Sequence, residues 1–325
     1  MRTGWAFSGR RCVVVDFHVH STASDGTLKP HRLAAIAAGR NFAAVALTDH
    51  DNADGVEEFL SARPDCKTTL FVPGVELSID PGEGFDKFHL LALGVDAGNA
   101  ALKALLARVR KGRDERNERI FENFRRIGIP DIAPAPHGEV LARPHFAKWL
   151  ADNGYAKSPG EAFAKYLHPC SPRETRCYEE RYHPPQEETF RAVHEAGGIC
   201  VMAHPKFWRF EWRKSGSDFD VAARELARLK EAGLDGLEAI YQANTQAEDV
   251  GFARIARELG LLATAGSDFH GSNKPSVALG MEVDESFAAP VIERLSQICA
   301  NRPSALGSFR ADKKVRQEFL SLICG

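Results

Sequence analysis

An α/β barrel carrying an inserted, mainly helical cap is the fold class the sequence predicts, and three observations predict it. Apolar runs of strand length alternate with helix-length segments through residues 13–98 and again through 186–285. Most of these runs end in ionisable side chains, as buried parallel strands do when their C-terminal ends form a site. Residues 99–185, charged at first and then Pro-rich, interrupt the rhythm. A barrel of about 200 to 250 residues plus an insert accounts for the length. The expected organisation is therefore a barrel built from 1–98 and 186–285, a cap at 99–185 and a C-terminal helical extension at 286–325.

The elements follow in order. Residues 13–20 (VVVDFHVH) read as a strand whose period-two alternation puts His18 and His20 on one face. Residues 30–39 read as a helix, opened by Pro30 and closed by Gly39. Residues 43–50 are an apolar run ending in Thr48, Asp49 and His50. A third strand at 70–77 carries Glu76, and a fourth at 88–95 opens with His89. The linker between them is rich in Gly and Pro and too short for a crossover helix, so the pair is expected to be an antiparallel hairpin that returns His89 beside Glu76.

Residues 99–130 form one long predicted helix with an apolar stripe (Leu102, Leu105, Leu106, Val109, Ile120, Phe121, Phe124). Its many arginines and lysines, Arg113 and Arg116 among them, read most simply as a solvated face. Residues 131–185 read as the cap, with short helices at 146–150 and 161–167. The barrel resumes with a helix at 186–196, a strand at 199–203 ending in His204, a helix at 220–232, a strand at 237–241 and a helix at 246–259. A last strand at 261–265 delivers Asp268 and His270. Helices are expected at 290–300 and 310–323, separated by an Arg302-Pro303 break.

Composition excludes several classes. Forty-two Lys plus Arg stand against 44 Asp plus Glu, which does not suit a binder of long duplex DNA. Any nucleic-acid partner is expected to be short. Seven cysteines without a C-x-x-C pair suit free thiols in a reducing compartment. No run of 18 apolar residues exists and residues 1–11 lack the apolar core of a signal peptide, so no membrane partner and a cytoplasmic location are expected.

Nine residues at or beside predicted strand ends carry the chemistry: His18, His20, Asp25, His50, Glu76, His89, His204, Asp268 and His270. Gathering so many ionisable groups at one barrel edge is costly without cations to neutralise the carboxylates and accept the imidazole lone pairs. Six His, two Asp and one Glu, with no Cys, suit Mn²⁺, Zn²⁺ or Fe²⁺. One ion cannot use nine ligands. Two or three divalent ions sharing bridging groups can hold a hydroxide at neutral pH and clamp phosphate oxygens, which is equipment for phosphoester hydrolysis.

The segments D-F-H-V-H-S-x-x-S-D-G (16–26), L-T-D-H-D (47–51), G-V-E-L-S (74–78), A-H-P (203–205) and G-S-D-F-H-G-x-N-K-P (266–275) resemble the PHP family, named for polymerase and histidinol phosphatase. The resemblance implies a distorted, seven-stranded, TIM-like β/α barrel with a trinuclear metal centre, Mn²⁺ being the favoured ion. It implies that His18, His20, Glu76 and Asp268 hold one ion, Glu76, His89 and His204 the second, and Asp25, His50 and His270 the third. Within the family, residues 141–150 (LARPHFAKWL) are similar to stand-alone members that remove the 3′-phosphate of nucleoside 3′,5′-bisphosphates, some of which trim short oligoribonucleotides.

Physically, Arg143 offers a bidentate phosphate fork and His145 a donor or acid. Lys206 and Lys274 flank expected ligands and are further candidates for a small phosphorylated substrate. Other readings are a different phosphoester specificity (histidinol phosphate or a cyclic sugar phosphate), a C–N hydrolase of the amidohydrolase type, and a non-catalytic metal-binding module. The amidohydrolase type commonly uses a carbamylated lysine, and no lysine stands at a strand end. The Pro- and Arg-rich loop with His168, Cys170, Cys177 and His183 matches no usual zinc spacing.

Overall fold

Buried backbone must pair its amides, and the apolar runs do so side by side. The structure, a computed structural model, describes residues 11–62, 68–83, 86–134, 141–208 and 218–300. Its strands are β1 (Cys12–Val19), β2 (Ala44–Leu47), β3 (Leu70–Ile79), β4 (Phe88–Leu93), β5 (Ile199–Met202), β6 (Gly236–Tyr241), β7 (Leu262–Gly266) and β8 (Met281–Asp284). They form one sheet in the order β7-β6-β5-β4-β3-β2-β1-β8. Strands β1 to β3 are mutually parallel, as are β5 to β7, while β4 runs antiparallel to both neighbours. The expected hairpin is present, with Ser78 paired to His89.

The sheet nearly closes on itself. Just past the ends of β1 and β7, the His20 amide donates to the Phe269 carbonyl and the Asp268 amide to the His18 carbonyl, each at 2.9 Å. Strand β8 corrects the expected count of seven. Four residues with Glu282 and Asp284 among them give little apolar signal, yet Cys12 to Val15 supply a free edge with which they pair antiparallel. The helix after β8 spans Glu285–Ala300 and so begins five residues before the expected Pro290. Its start is set by Asp284, whose carboxylate accepts from the Ser286 amide at 2.8 Å. Proline at 290 marks an interior position instead. The expected helix at 310–323 and the break at 302–303 lie outside the described residues.

Side-chain parity sorts the barrel into layers. Val15, Phe17, Val72, Leu91, Val201 and Ala265 fill the interior together with Val291, Ile292 and Leu295, so the helix Glu285–Ala300 plugs one end. Two outer layers lie under the helices, one around Leu33, Val45 and Phe71 and one around Val75, Leu90, Met202 and Phe252. The pairing of β1 with β2 slips between Asp16 and Val19. That irregularity lets His18 and His20 face inward after Phe17 while Val19 packs outward against the Leu33 layer.

The helix Ala100–Arg126 spans two cores. Asn99 caps it, accepting from the amides of Ala101 and Leu102. Leu102 and Leu105 pack against the barrel, whereas Ile120 and Phe124 belong to a separate apolar cluster with Phe146, Leu150, Tyr166 and Cys177. Between these ends the expectation of a solvated basic face fails at two positions. Arg113 and Arg116 are 7% and 3% exposed, because this turn faces the cap loop and the barrel mouth rather than water. The expected short helices of the cap are Arg143–Asp152, and Pro159–Ala162 running on into a π-helical turn Phe163–Leu167.

Candidate metal centre

All nine expected residues meet at the end of the barrel where β1 and β7 join. Glu76, wholly buried on β3, is the hub. Its Oε2 lies 3.2 Å from His18 Nε2, 3.1 Å from His20 Nε2 and 2.9 Å from His50 Nδ1. Its Oε1 lies 2.7 Å from His89 Nδ1 and 3.1 Å from His204 Nε2. Asp268 Oδ1 sits 3.4 Å from His20 Nε2 and 3.7 Å from His18 Nε2. Asp25 Oδ1 sits 3.2 Å from His270 Nε2.

Four overlapping groups of donor atoms could each hold a cation. They are His18, His20 and Asp268; His18, Glu76 and His204; His50, Glu76 and His89; and His20, Asp25, His50 and His270. This differs in detail from the division the resemblance implied. His20 reaches the Asp25 group as well as Asp268, and His89 and His204, T-shaped at 5.1 Å between centroids, fall into different groups around Glu76.

The residues fit divalent cations on their own geometry. His18 Nε2, both ring nitrogens of His20 and Glu76 Oε2 are buried without a hydrogen bond among the described residues, although His18 Nε2 and His20 Nε2 lie 3.2 and 3.1 Å from Glu76 Oε2. Aligned lone pairs at that separation repel unless protons or cations stand between them. Burial opposes ionisation of Glu76, yet His50, His18 and His89 hold it well below the usual carboxylate range. Burial likewise opposes the charged form of His20, yet Asp268 and Glu76 raise it to about 9. His270 is pushed down to about 4 by its burial and by His20.

Other side chains fix how the ligands point. His18 Nδ1 lies 3.0 Å from Glu238 Oε1, and Glu238 Oε2 also accepts from the His204 amide at 2.6 Å. A buried carboxylate on Nδ1 selects the tautomer that turns Nε2 toward the cluster. His270 Nδ1 donates to the Asp268 carbonyl at 2.8 Å, which presents its Nε2 to Asp25. Tyr241 and Lys274 both donate to Asp268 Oδ2, at 2.9 and 2.6 Å, leaving Oδ1 for the cluster. His204 and Asp268 carry φ of 28° and 56°, left-handed conformations that non-glycine residues adopt at a cost. A Cβ on Gly266 would stand 2.1 Å from Glu238 Oε1 and 2.5 Å from His18 Cβ, so glycine permits the approach.

Several of these groups escape a reading confined to strand ends. Asp16 accepts from the amides of Ser267 and Gly280, tying β1 to the loops after β7, and burial raises it to about 6 against those bonds. Asp49 receives the Ser21 amide and the hydroxyls of Ser21 and Ser24. Asp51 binds both Arg113 and Arg181, the latter at 2.7 Å. A lone acid inside an apolar strand, such as Asp16 in VVVDF or Glu238 in GLEAIY, was the available signal. Nothing local announces the Asp51–Arg181 pair.

The expected substrate residues divide. Arg143, at the first turn of Arg143–Asp152, lines a cavity of about 820 Å³ with Arg116, Tyr178, Arg181, His183 and Phe207. Lys274 stays at the cluster through Asp268. His145 is 5% exposed, and its Nδ1 accepts from the Ala142 amide at 3.0 Å, closing its own helix. Lys206 pairs with Glu248 at 3.0 Å and turns toward the helix Gln246–Leu259. The loop residues His168, Cys170, Cys177 and His183 do not gather into one site: Cys177 lies in the cap core, Cys170 is exposed, and His183 lines the cavity.

A barrel mouth bearing this donor set belongs to the metal-dependent phosphoester hydrolases, and comparison with known proteins narrows it. Residues 16–126 match the family model of the PHP domain. The chain is 32% identical over 261 residues to a 3′,5′-nucleoside bisphosphate phosphatase of Chromobacterium violaceum, covering 79% of this chain and 87% of that protein. It is 33% identical over 262 residues to a 5′-3′ exoribonuclease of Haemophilus influenzae, covering 78% and 89%. A solved structure from Chromobacterium violaceum, described as an amidohydrolase with bound sulfate and no metal, superposes with a TM-score of 0.71 at 29% identity, over 86% of this chain and 96% of that one. The chain belongs to the PHP family. It is a metal-dependent phosphoester hydrolase. Among the described residues no helix is long and apolar enough to cross a membrane.

Proposed function

We propose that this enzyme removes the 3′-phosphate of a nucleoside 3′,5′-bisphosphate, or acts in the same pose on a short oligonucleotide, using two or three divalent ions among which Mn²⁺ is favoured. The observation that carries the reading is a cavity lined by arginines and joined to the ligand cluster. Arg181 bonds Asp51, the neighbour of His50, and Phe207 contacts the His204 ring at 5.7 Å between centroids. Such a site has room for a second charged group beside the one being cleaved. The curated relatives act on a nucleoside bisphosphate and on RNA.

In this reading His18, His20, Asp25, His50, Glu76, His89, His204, Asp268 and His270 hold the ions. When bound, the ions supply Lewis-acid charge to the scissile phosphate and a nucleophile from water at neutral pH. Glu238 and the Asp268 carbonyl keep His18 and His270 in the ligating tautomers, and Tyr241 and Lys274 orient Asp268. Lys274 lies near enough to the cluster to meet a phosphate oxygen. Arg143 faces the cavity and grips the second phosphate, its guanidinium steadied over the Tyr178 ring at 5.4 Å.

Phosphate release from a panel of adenosine 3′,5′-bisphosphate, histidinol phosphate, oligoribonucleotides and a generic phosphomonoester tests this, with metal content measured on the same preparation. A clear preference for the bisphosphate or the oligonucleotide is expected. Arg143→Ala should lower kcat/KM by about ten- to two-hundredfold on substrates with a second phosphate and leave the generic phosphomonoester almost untouched. A preference for histidinol phosphate, or equal losses on every substrate, would refute the reading.

A further inference from the structure

Among the described residues one more set of metal-type donors gathers away from the barrel mouth. It consists of His194, Cys200 and Asp235, whose ligand atoms lie within 4.8 Å of one another. His194 sits in the last turn of the helix Gln186–Glu195, Cys200 is the second residue of β5, and Asp235 immediately precedes β6. Strands β5 and β6 are parallel, so the set lies at their starts, the opposite ends from His204. At about 3.3 Å per residue that separation is roughly 13 Å along β5. No donor is shared with the mouth.

The backbone holds the three segments together. His194 Nε2 and Asp235 Oδ2 are 2.8 Å apart, and the same oxygen accepts from the Cys200 amide at 2.8 Å. The Asp235 amide donates back to the Cys200 carbonyl at 2.8 Å, and the Asp235 carbonyl accepts from the Leu262 amide at 2.9 Å, so the carboxylate is carried by the sheet itself. Gly233, at a φ of 115°, lies against the His194 ring, where an added Cβ would stand 3.3 Å from Cε1. Cys200 faces the outer layer, beneath Phe190 and Val193 of the same helix, and is buried. The His194 side chain is 41% exposed and edges a surface cavity with Glu187, Phe190 and Arg191, which gives an ion a way in.

An imidazole, a thiol and a carboxylate within this span supply three of the four donors of a tetrahedral ion, whose ligand atoms stand about 3 to 4 Å apart on bonds of about 2.0 to 2.3 Å. His194, at a helix end and partly exposed, is the side chain that adjusts to that separation. The sulfur decides which ion. The nine donors of the mouth are nitrogen and oxygen and suit Mn²⁺, whereas a thiolate favours the softer Zn²⁺. Burial beside Asp235 pushes the Cys200 thiol up, so only an ion that binds thiolate strongly displaces its proton.

We propose that His194, Cys200 and Asp235 form a separate structural metal site, taking one Zn²⁺ with water in the fourth position, at the other end of the barrel from the catalytic centre. The ion staples the end of the helix Gln186–Glu195 to the starts of β5 and β6, the strands that lead to His204 and Glu238. The two centres sort their ions by softness. This holds whichever phosphoester the enzyme cleaves.

The test uses Co²⁺ as a probe on the full-length, Mn²⁺-loaded enzyme and compares wild type with Cys200→Ala and His194→Ala. A thiolate bound to Co²⁺ gives a near-ultraviolet charge-transfer band that the sulfur-free mouth cannot give. Wild type should show the band, saturating at one ion per chain, and added Zn²⁺ should remove it. Cys200→Ala should lack it, and His194→Ala should need about tenfold or more Co²⁺ to reach it. Thermal melting gives a second readout: Zn²⁺ at about a hundredfold over its Kd should raise Tm by about 3 to 8 °C in wild type and not in Cys200→Ala. Turnover with Mn²⁺ should stay within about twofold in all three proteins. A wild type without the band, a band that persists in Cys200→Ala and so belongs to another cysteine, or wild-type affinity in His194→Ala would overturn the assignment. Should Cys200→Ala fail to fold, His194→Ala decides alone, because its side chain lies at the surface rather than in the core.

Discussion

The barrel mouth and the cap cavity both gather charge, and they balance it in different ways. At the mouth, three carboxylates and six imidazoles are packed so that anionic oxygens and ring nitrogens face one another within about 3 to 4 Å. Protons or cations complete that arrangement. The cavity is lined by Arg116, Arg143, Arg181 and Lys87 together with the carboxylates of Asp80, Glu83, Asp86, Glu179 and Glu180, so acids and bases of its own largely offset one another. In the proposed reading the scissile phosphate lies over the mouth and the second phosphate in the cavity beside Arg143. Neither half by itself defines such a substrate. The mouth would suit any phosphomonoester, and the cavity, with its mixed charge, a range of small ligands.

The sharpest way to break the comparison is to spoil the mouth and leave the cavity intact. Asp268→Ala or His20→Ala should lower kcat by more than about a thousandfold on every substrate and reduce the metal bound per chain. Far-ultraviolet circular dichroism should be unchanged, since both side chains face the cluster rather than a core layer. Activity within a fewfold of wild type at full metal content would show that the ligands lie elsewhere. A smaller effect is expected from Glu238→Gln, which keeps the shape of a group that touches His18 and the His204 amide but not the ion positions. Metal affinity should weaken by about ten- to a hundredfold, and excess Mn²⁺ should restore most of the turnover. An affinity equal to wild type would remove Glu238 from the site's support. The mildest is Tyr241→Phe. It deletes one of two donors to Asp268 Oδ2 while Lys274 keeps the other, so a loss of about two- to tenfold in kcat is expected on all substrates alike. Substrate-selective loss would move Tyr241 from the mouth to the substrate's recognition.

The two regions also differ in how far the sequence betrayed them. Every donor at the mouth sits within a few residues of a strand's end or start, in short motifs such as 16–26 and 266–275, and strand parity with the hairpin connection was enough to bring Glu76 and His89 together. The cavity draws its arginines from positions 116, 143 and 181, on one long helix, a short one and a loop, and no local pattern links them. On the sequence, Arg113 and Arg116 are two more charges in a basic run; only the seating of the helix between two cores makes them interior. Strand β8 stayed hidden for a related reason. Its pairing depends on an edge left by β1, a long-range circumstance that four residues of mixed polarity do not encode. Lys206 and His145 show the converse, side chains of the right chemistry whose bonds to Glu248 and to the Ala142 amide spend them on local structure.

The helix that plugs the barrel is the last described element of the chain, and this orders events during synthesis. Strands β1 to β7 and all nine ligand residues leave the ribosome before Glu285–Ala300 does. Until then the interior around Val15, Phe17, Val72 and Val201 lacks Val291, Ile292 and Leu295, and one end of the barrel stays open to water. Ligands held by β1, β3 and β7 can take up ions firmly only once those strands have stopped shifting against one another. A chain shortened before residue 285 should therefore emerge with all nine of these residues present, without Val291, Ile292 and Leu295 to close the interior, and with no stable place to hold a metal.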